Sequence, residues 1–263
     1  MKQAFAGILS LFLSVSSFSA PSLAAVKSKV LTYKKGSDTF EGLLVQPEGG
    51  QKTKGPAILM IHNWLGVTDE TKTQATRMAN LGYTVFAADI YGKGVRPKGP
   101  EEAGPESTKY KNNRALFRER LLLGLETLKA QEGVDASKIV AVGYCFGGTG
   151  VIELARAGAD VRGVVSFHGG LDSPSPDDGK NIKARVLALH GADDPYVKAE
   201  DLAAFENEMR THKIDWRLVK YGNTVHSFTE KAAGNDNSKG AAYNALADAR
   251  SFEEFKDFMK ETI

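Results

Sequence analysis

The chain has 263 residues, 42% hydrophobic and 25% charged, long enough to bury a substantial core without disulfide or metal support. Its formal net charge of +2 is small and unpatterned, which gives no case for a nucleic-acid partner. A single cysteine rules out an internal disulfide.

The N-terminus has the pattern of a secretory leader. Lys2 supplies the positive end, residues 4–15 are mostly apolar, and Ser22-Leu23-Ala24 places small residues at the −3 and −1 positions of a cleavage site. Cleavage after Ala24 is expected, because a cut after Ala20 would leave Pro21 at the new N-terminus. The expectation is a secreted or periplasmic protein with one α/β domain over residues 25–263. Beyond the leader no apolar run reaches membrane-spanning length.

Taken in order, residues 30–34 and 40–46 predict a hairpin at a sheet edge. Residues 56–61 (PAILMI) form a fully apolar strand, ending in the loop His62-Asn63-Trp64-Leu65-Gly66. Thr68 or Asp69 caps the next helix, and 83–88 is another apolar strand, so the sheet becomes parallel. Residues 89–105, rich in Gly and Pro, read as a loop forming a wall or lid. Residues 107–131 read as one helix, with Phe117, Leu121, Leu125 and Leu128 at helical spacing. Buried strands follow at 138–142, 161–167, 184–189 and 215–220, with helices at 147–157, 199–210 and about 241–259. The whole predicts an α/β fold with a mostly parallel central sheet and helices on both faces.

Residues 138–150 (KIVAVGYCFGGTG) are the chemical centre. A buried strand, a sharp turn with glycines two before and two after a nucleophile position, and a helix form a nucleophile elbow. Cys145 occupies that position. A lone cysteine is more often a small buried hydrophobe, but this setting favours reaction. Ligand sites of such sheets lie at the carboxyl ends of the strands. Asn63-Trp64, Cys145, Asp194 and His226 all fall there. The order nucleophile, acid, histidine is that of the α/β-hydrolase triad. His226 would take and return the proton, and Asp194 would orient it. The amides of Phe146 and Trp64 are the expected oxyanion donors. Asp193 rivals Asp194. His62, His168 and His190 stand at strand ends where bracing roles are expected, and His212 lies at a polar helix end. Trp64 and Tyr91 read as pocket walls or as core.

These segments resemble the dienelactone hydrolase family of α/β-hydrolases. The resemblance rests on GYCFGG, on HGADDPYV around the acid, on YGNTVHSF around the histidine, and on HNWLGV and ADIYGKG in the first half. It implies that Cys145, Asp194 and His226 form the triad. It also implies hydrolysis of a small ester or lactone with neither metal nor organic cofactor, by a monomer or homodimer. Two departures are visible. The family carries a Glu that helps activate the thiol where this chain has Asn63. The arginines that hold a substrate carboxylate correspond to Lys93 and Glu230. Asn63, Tyr91 and Lys93 are therefore the expected substrate contacts, and dienelactone itself is not the expected substrate. The same departures leave open a non-catalytic binding protein of this fold. A redox role for Cys145 has no second cysteine to support it.

Overall fold

The computed structural model describes residues 25–49 and 53–263. The leader expected at residues 1–24 lies outside the described residues. In chain order the elements are β1 (Val26–Lys35), β2 (Asp38–Pro47), β3 (Gly55–Ile61), α1 (Asp69–Ala79), β4 (Thr84–Ala88), α2 (Pro100–Lys111), α3 (Arg114–Lys129) and β5 (Val134–Tyr144). They continue with α4 (Phe146–Arg156), β6 (Gly163–Phe167), β7 (Arg185–Gly191), α5 (Ala199–Thr211), β8 (Trp216–Tyr221) and α6 (Ala245–Thr262). Short 3₁₀ turns lie at Pro176–Asn181, Lys231–Ala233 and Asn237–Lys239.

The eight strands form one sheet in the order β1-β2-β4-β3-β5-β6-β7-β8. The β1–β2 and β2–β4 pairs are antiparallel and the rest parallel. The central strands are apolar throughout because both faces are covered. On β3, Ala57, Leu59 and Ile61 face a core shared with Phe117 and Leu121 of α3, Val151 of α4 and Phe205 of α5. The alternate residues Ile58 and Met60 face Met78 of α1 and Phe255 of α6. Burying each of these large side chains contributes roughly 1.5–3 kcal/mol, and both cores hold the strand ends in fixed register.

The sequence expectation is corrected in three places. The 89–105 loop ends early, since α2 begins at Pro100, a residue suited to the first helical position where no amide bond is needed. The helix expected at 107–131 is two helices. Asn113 caps α3, its side chain accepting from the Leu116 amide at 3.0 Å, so the Asn-Asn pair at 112–113 starts a new helix. The last helix likewise starts at Ala245 rather than 241, with the Asn244 side chain capping the Leu246 and Ala247 amides.

Candidate active site

The elbow forms as the glycines require. A Cβ on Gly143 would overlap the Gly147 carbonyl, and one on Gly147 would overlap the Ile61 carbonyl, so α4 starts in direct backbone contact with β5 and β3. Cys145 is left in the left-handed region at φ 54° and ψ −113°. Its amide donates to the Phe167 carbonyl at 3.0 Å and its carbonyl accepts from Thr149 at 3.2 Å, bonds that hold the strained residue in place. Cys145 is partly buried and stands at the N-terminus of α4, where unpaired amides favour negative charge.

His226 and Asp194 meet it from neighbouring loops. The His226 Nε2 lies 3.1 Å from Cys145 Sγ, and its Nδ1 lies 2.8 Å from Asp194 Oδ2. Asp194 follows β7, and its other oxygen accepts from the Tyr196 amide at 2.9 Å. The rival Asp193 is exposed, and it is Asp194 that bonds His226. His226 follows β8 and is framed by backbone. Its amide donates to the Gly240 carbonyl at 3.2 Å, and its carbonyl accepts from the Ala242 amide at 3.0 Å. Burial alone would lower the His226 pKa, but the Cys145 charge and the Asp194 hydrogen bond outweigh it and raise it to about 10. The imidazolium is thus the favoured form beside the sulfur.

Beside this line, His62 and His168 are fixed by hydrogen bonds. His62 is buried, with Nδ1 on the Asn63 carbonyl at 2.6 Å and Nε2 accepting from the Ile90 amide at 3.1 Å. His168 is also buried, bonded through Nε2 to Thr229 Oγ1 at 2.8 Å, and its ring packs edge-on against His226 with centroids 5.2 Å apart. Burial keeps both neutral, His62 with a pKa lowered to about 4. The His190 pKa is lowered by burial as well.

The amides of Phe146 and Trp64 have no backbone acceptor among the described residues. Tyr91 is buried against His62 and Phe146, and its hydroxyl donates to the Trp64 carbonyl at 3.0 Å, so it supports the Trp64 loop. Lys93 points away to an exposed ion pair with Glu41 at 2.8 Å. Asn63 bonds Glu230 Oε1 through Nδ2 at 3.0 Å, so the two departures seen separately in the sequence are partners in space. Sequence reading passed over Tyr196. Its exposed ring stands edge-on to His226, with centroids 5.3 Å apart, and covers one side of the imidazole. Its place two residues after Asp194 was the available signal.

The dienelactone hydrolase family profile matches residues 40–263. The chain belongs to the dienelactone hydrolase family. It has the α/β-hydrolase fold, and membership places it among the ester- and lactone-hydrolysing enzymes. A solved structure described as m3DLH shares 38% identity at a TM-score of 0.87, covering 91% of this chain and 99% of its own. A dienelactone hydrolase-like promiscuous phosphotriesterase from metagenomic libraries shares 36% identity at a TM-score of 0.86, covering 90% and 99%. The human carboxymethylenebutenolidase homolog is 26% identical over 67% of this chain and 72% of its own.

Proposed function

We propose that the protein cleaves a small ester or lactone through a covalent thioester on Cys145. The observation that carries this reading is the continuous line Cys145 Sγ, His226, Asp194, with contacts of 3.1 and 2.8 Å. The Cys145 thiolate attacks the carbonyl carbon, and the negative charge passes to the carbonyl oxygen, held by the Phe146 and Trp64 amides and the positive end of α4. His226 gives its proton to the departing alkoxide, and the C–O bond breaks to leave the thioester. Neutral His226 then takes a proton from water, whose oxygen attacks the thioester, and the thiolate departs with the acid product. Asp194 holds the imidazole orientation and stabilises its cation.

The environment bears on the substrate. Lys93 is engaged by Glu41, and the Glu230 carboxyl lies beside Asn63, so the site favours an uncharged acyl group over a carboxylate-bearing lactone. Turnover of p-nitrophenyl acetate, simple lactones and a phosphotriester by wild type and Cys145→Ala tests the reading. Ester or lactone turnover that vanishes in Cys145→Ala supports it; equal rates in both proteins would overturn it. The line of contacts supports an enzyme over a binding-only protein. Export with removal of residues 1–24 remains part of the proposal, checked by N-terminal sequencing of the mature protein.

A further inference from the structure

The loop after β3 and the loop after β8 carry different halves of the machinery: Trp64 in the first, His226 in the second. Among the described residues, one side-chain hydrogen bond joins residues 62–66 to residues 224–230, and it is Asn63 Nδ2 to Glu230 Oε1 at 3.0 Å. Each end is anchored. Asn63 Oδ1 accepts the Leu65 amide at 2.9 Å, and its carbonyl accepts the Gly66 amide at 3.2 Å, so residues 64–66 wrap around Asn63. Glu230 is tied to the histidine turn by its amide, which donates to the Ser227 carbonyl at 2.9 Å. Asn63, Glu230 and Glu70 of α1 line one small cavity, and Asn63 is the polar side chain there that hydrogen-bonds Glu230.

We propose that Glu230 is a positioning residue for acyl transfer. Acting through Asn63, it fixes the loop that presents the Trp64 amide against the loop that presents His226. The inference rests on the functional reading above. Its logic is geometric: Asn63 needs an acceptor at position 230, and a carboxylate or an amide oxygen serves equally. Without that acceptor the Asn63 amide turns, the 64–66 loop shifts, and the Trp64 donor loses its aim. Thiolate formation at Cys145 changes far less, since the Glu230 carboxyl acts on His226 only through space.

The test compares Glu230→Ala, Glu230→Gln, Asn63→Ala and the Glu230→Ala/Asn63→Ala double variant, all in the full chain. Loss of p-nitrophenyl acetate turnover in Cys145→Ala, measured alongside, separates failure of this proposal from failure of the hydrolase reading. Glu230→Ala is expected to lower kcat by roughly 100-fold, the loss that about 1 Å of misplacement can produce, with KM little changed. Glu230→Gln should restore most of that loss. Asn63→Ala, which also removes the Leu65 contact, should lose at least as much as Glu230→Ala, and the double variant should be no worse than Asn63→Ala alone, as expected for one shared interaction. Iodoacetamide alkylation of Cys145, which needs the thiolate but no oxyanion donor, should change far less than kcat in every variant. Wild-type turnover in Glu230→Ala, failure of Glu230→Gln to rescue, additive losses in the double variant, or alkylation falling in step with kcat would each overturn the proposal. Should Glu230→Ala fail to fold, Asn63→Ala and Glu230→Gln carry the same comparison.

Discussion

Gly143 and Gly147 touch backbone to backbone, and neither has room for a Cβ. Gly143→Ala would force the start of α4 away from β5 and move Cys145 off its line to His226. The expected cost is at or above ~3 kcal/mol, the upper range for overpacking. Thermal unfolding of Gly143→Ala against wild type checks it. A melting temperature equal to wild type would show that the elbow can relax.

Asp194→Asn keeps the size of the side chain and removes its charge. Both carboxylate oxygens accept, from His226 Nδ1 and the Tyr196 amide, and the single uncharged oxygen of Asn can neither serve both nor balance the imidazolium, so kcat/KM should fall by roughly 10²–10⁴. Alkylation of Cys145 at neutral pH should slow as well, because the cation beside the sulfur loses its support. Steady-state kinetics and iodoacetamide labelling measure the two effects. Unaltered values for both would remove Asp194 from the mechanism.

His62 links pH to stability. Its neutral form donates from Nδ1 to the Asn63 carbonyl and accepts at Nε2 from the Ile90 amide, so a second ring proton would meet an N–H. Its folded pKa is about 4, below the 6.5 of the free group. Between those values the unfolded chain binds more protons than the folded one, so stability falls as pH falls from about 6.5 toward 4. The slope is up to about 1.4 kcal/mol per pH unit for one proton. His168 acts in the same direction. Urea unfolding at pH 7 and pH 5 should show the loss, and His62→Gln should make it smaller without abolishing it, because His168 still contributes. A pH-independent midpoint would contradict this assignment.

Arg156 is fully buried at the end of α4. It bonds Glu208 at 2.6 and 2.9 Å, Glu153 at 2.9 Å, and the Asp172 and Leu171 carbonyls. Removing one partner leaves a buried charge, so Glu208→Ala should cost about 3–5 kcal/mol. Chemical denaturation measures that loss. Turnover per folded molecule should stay near wild type, since the network lies at the far end of the helix from Cys145.

The legible parts of the sequence were those governed by local rules. PAILMI read as a fully apolar strand and GYCFGG as a sharp turn between strand and helix, and both form as such. The line from Cys145 through His226 to Asp194 has the geometry those motifs led one to expect. What stayed hidden was set by distant chain. Asn112-Asn113 looked like part of one periodic helix, because a cap is distinguished only by the direction the backbone takes. Ala241 and Ala242 read as helix because the bridge pairing Ala241 with His226, bonded through the Gly240 carbonyl and the Ala242 amide, has no sequence signature. Asn63 and Glu230 each looked like a loss, because their contact spans 167 residues.

The backbone frame around His226 has a consequence for how the thiol comes to be reactive. Both clamps, Gly240 and Ala242, lie downstream of the histidine. A chain truncated at residue 238 would contain Cys145, Asp194 and His226, yet the histidine would lose both of these backbone bonds and keep only its side-chain contacts. During synthesis the sulfur emerges 81 residues ahead of its imidazole. Under the proposed mechanism, the base that serves Cys145 is therefore completed only by the last part of the chain.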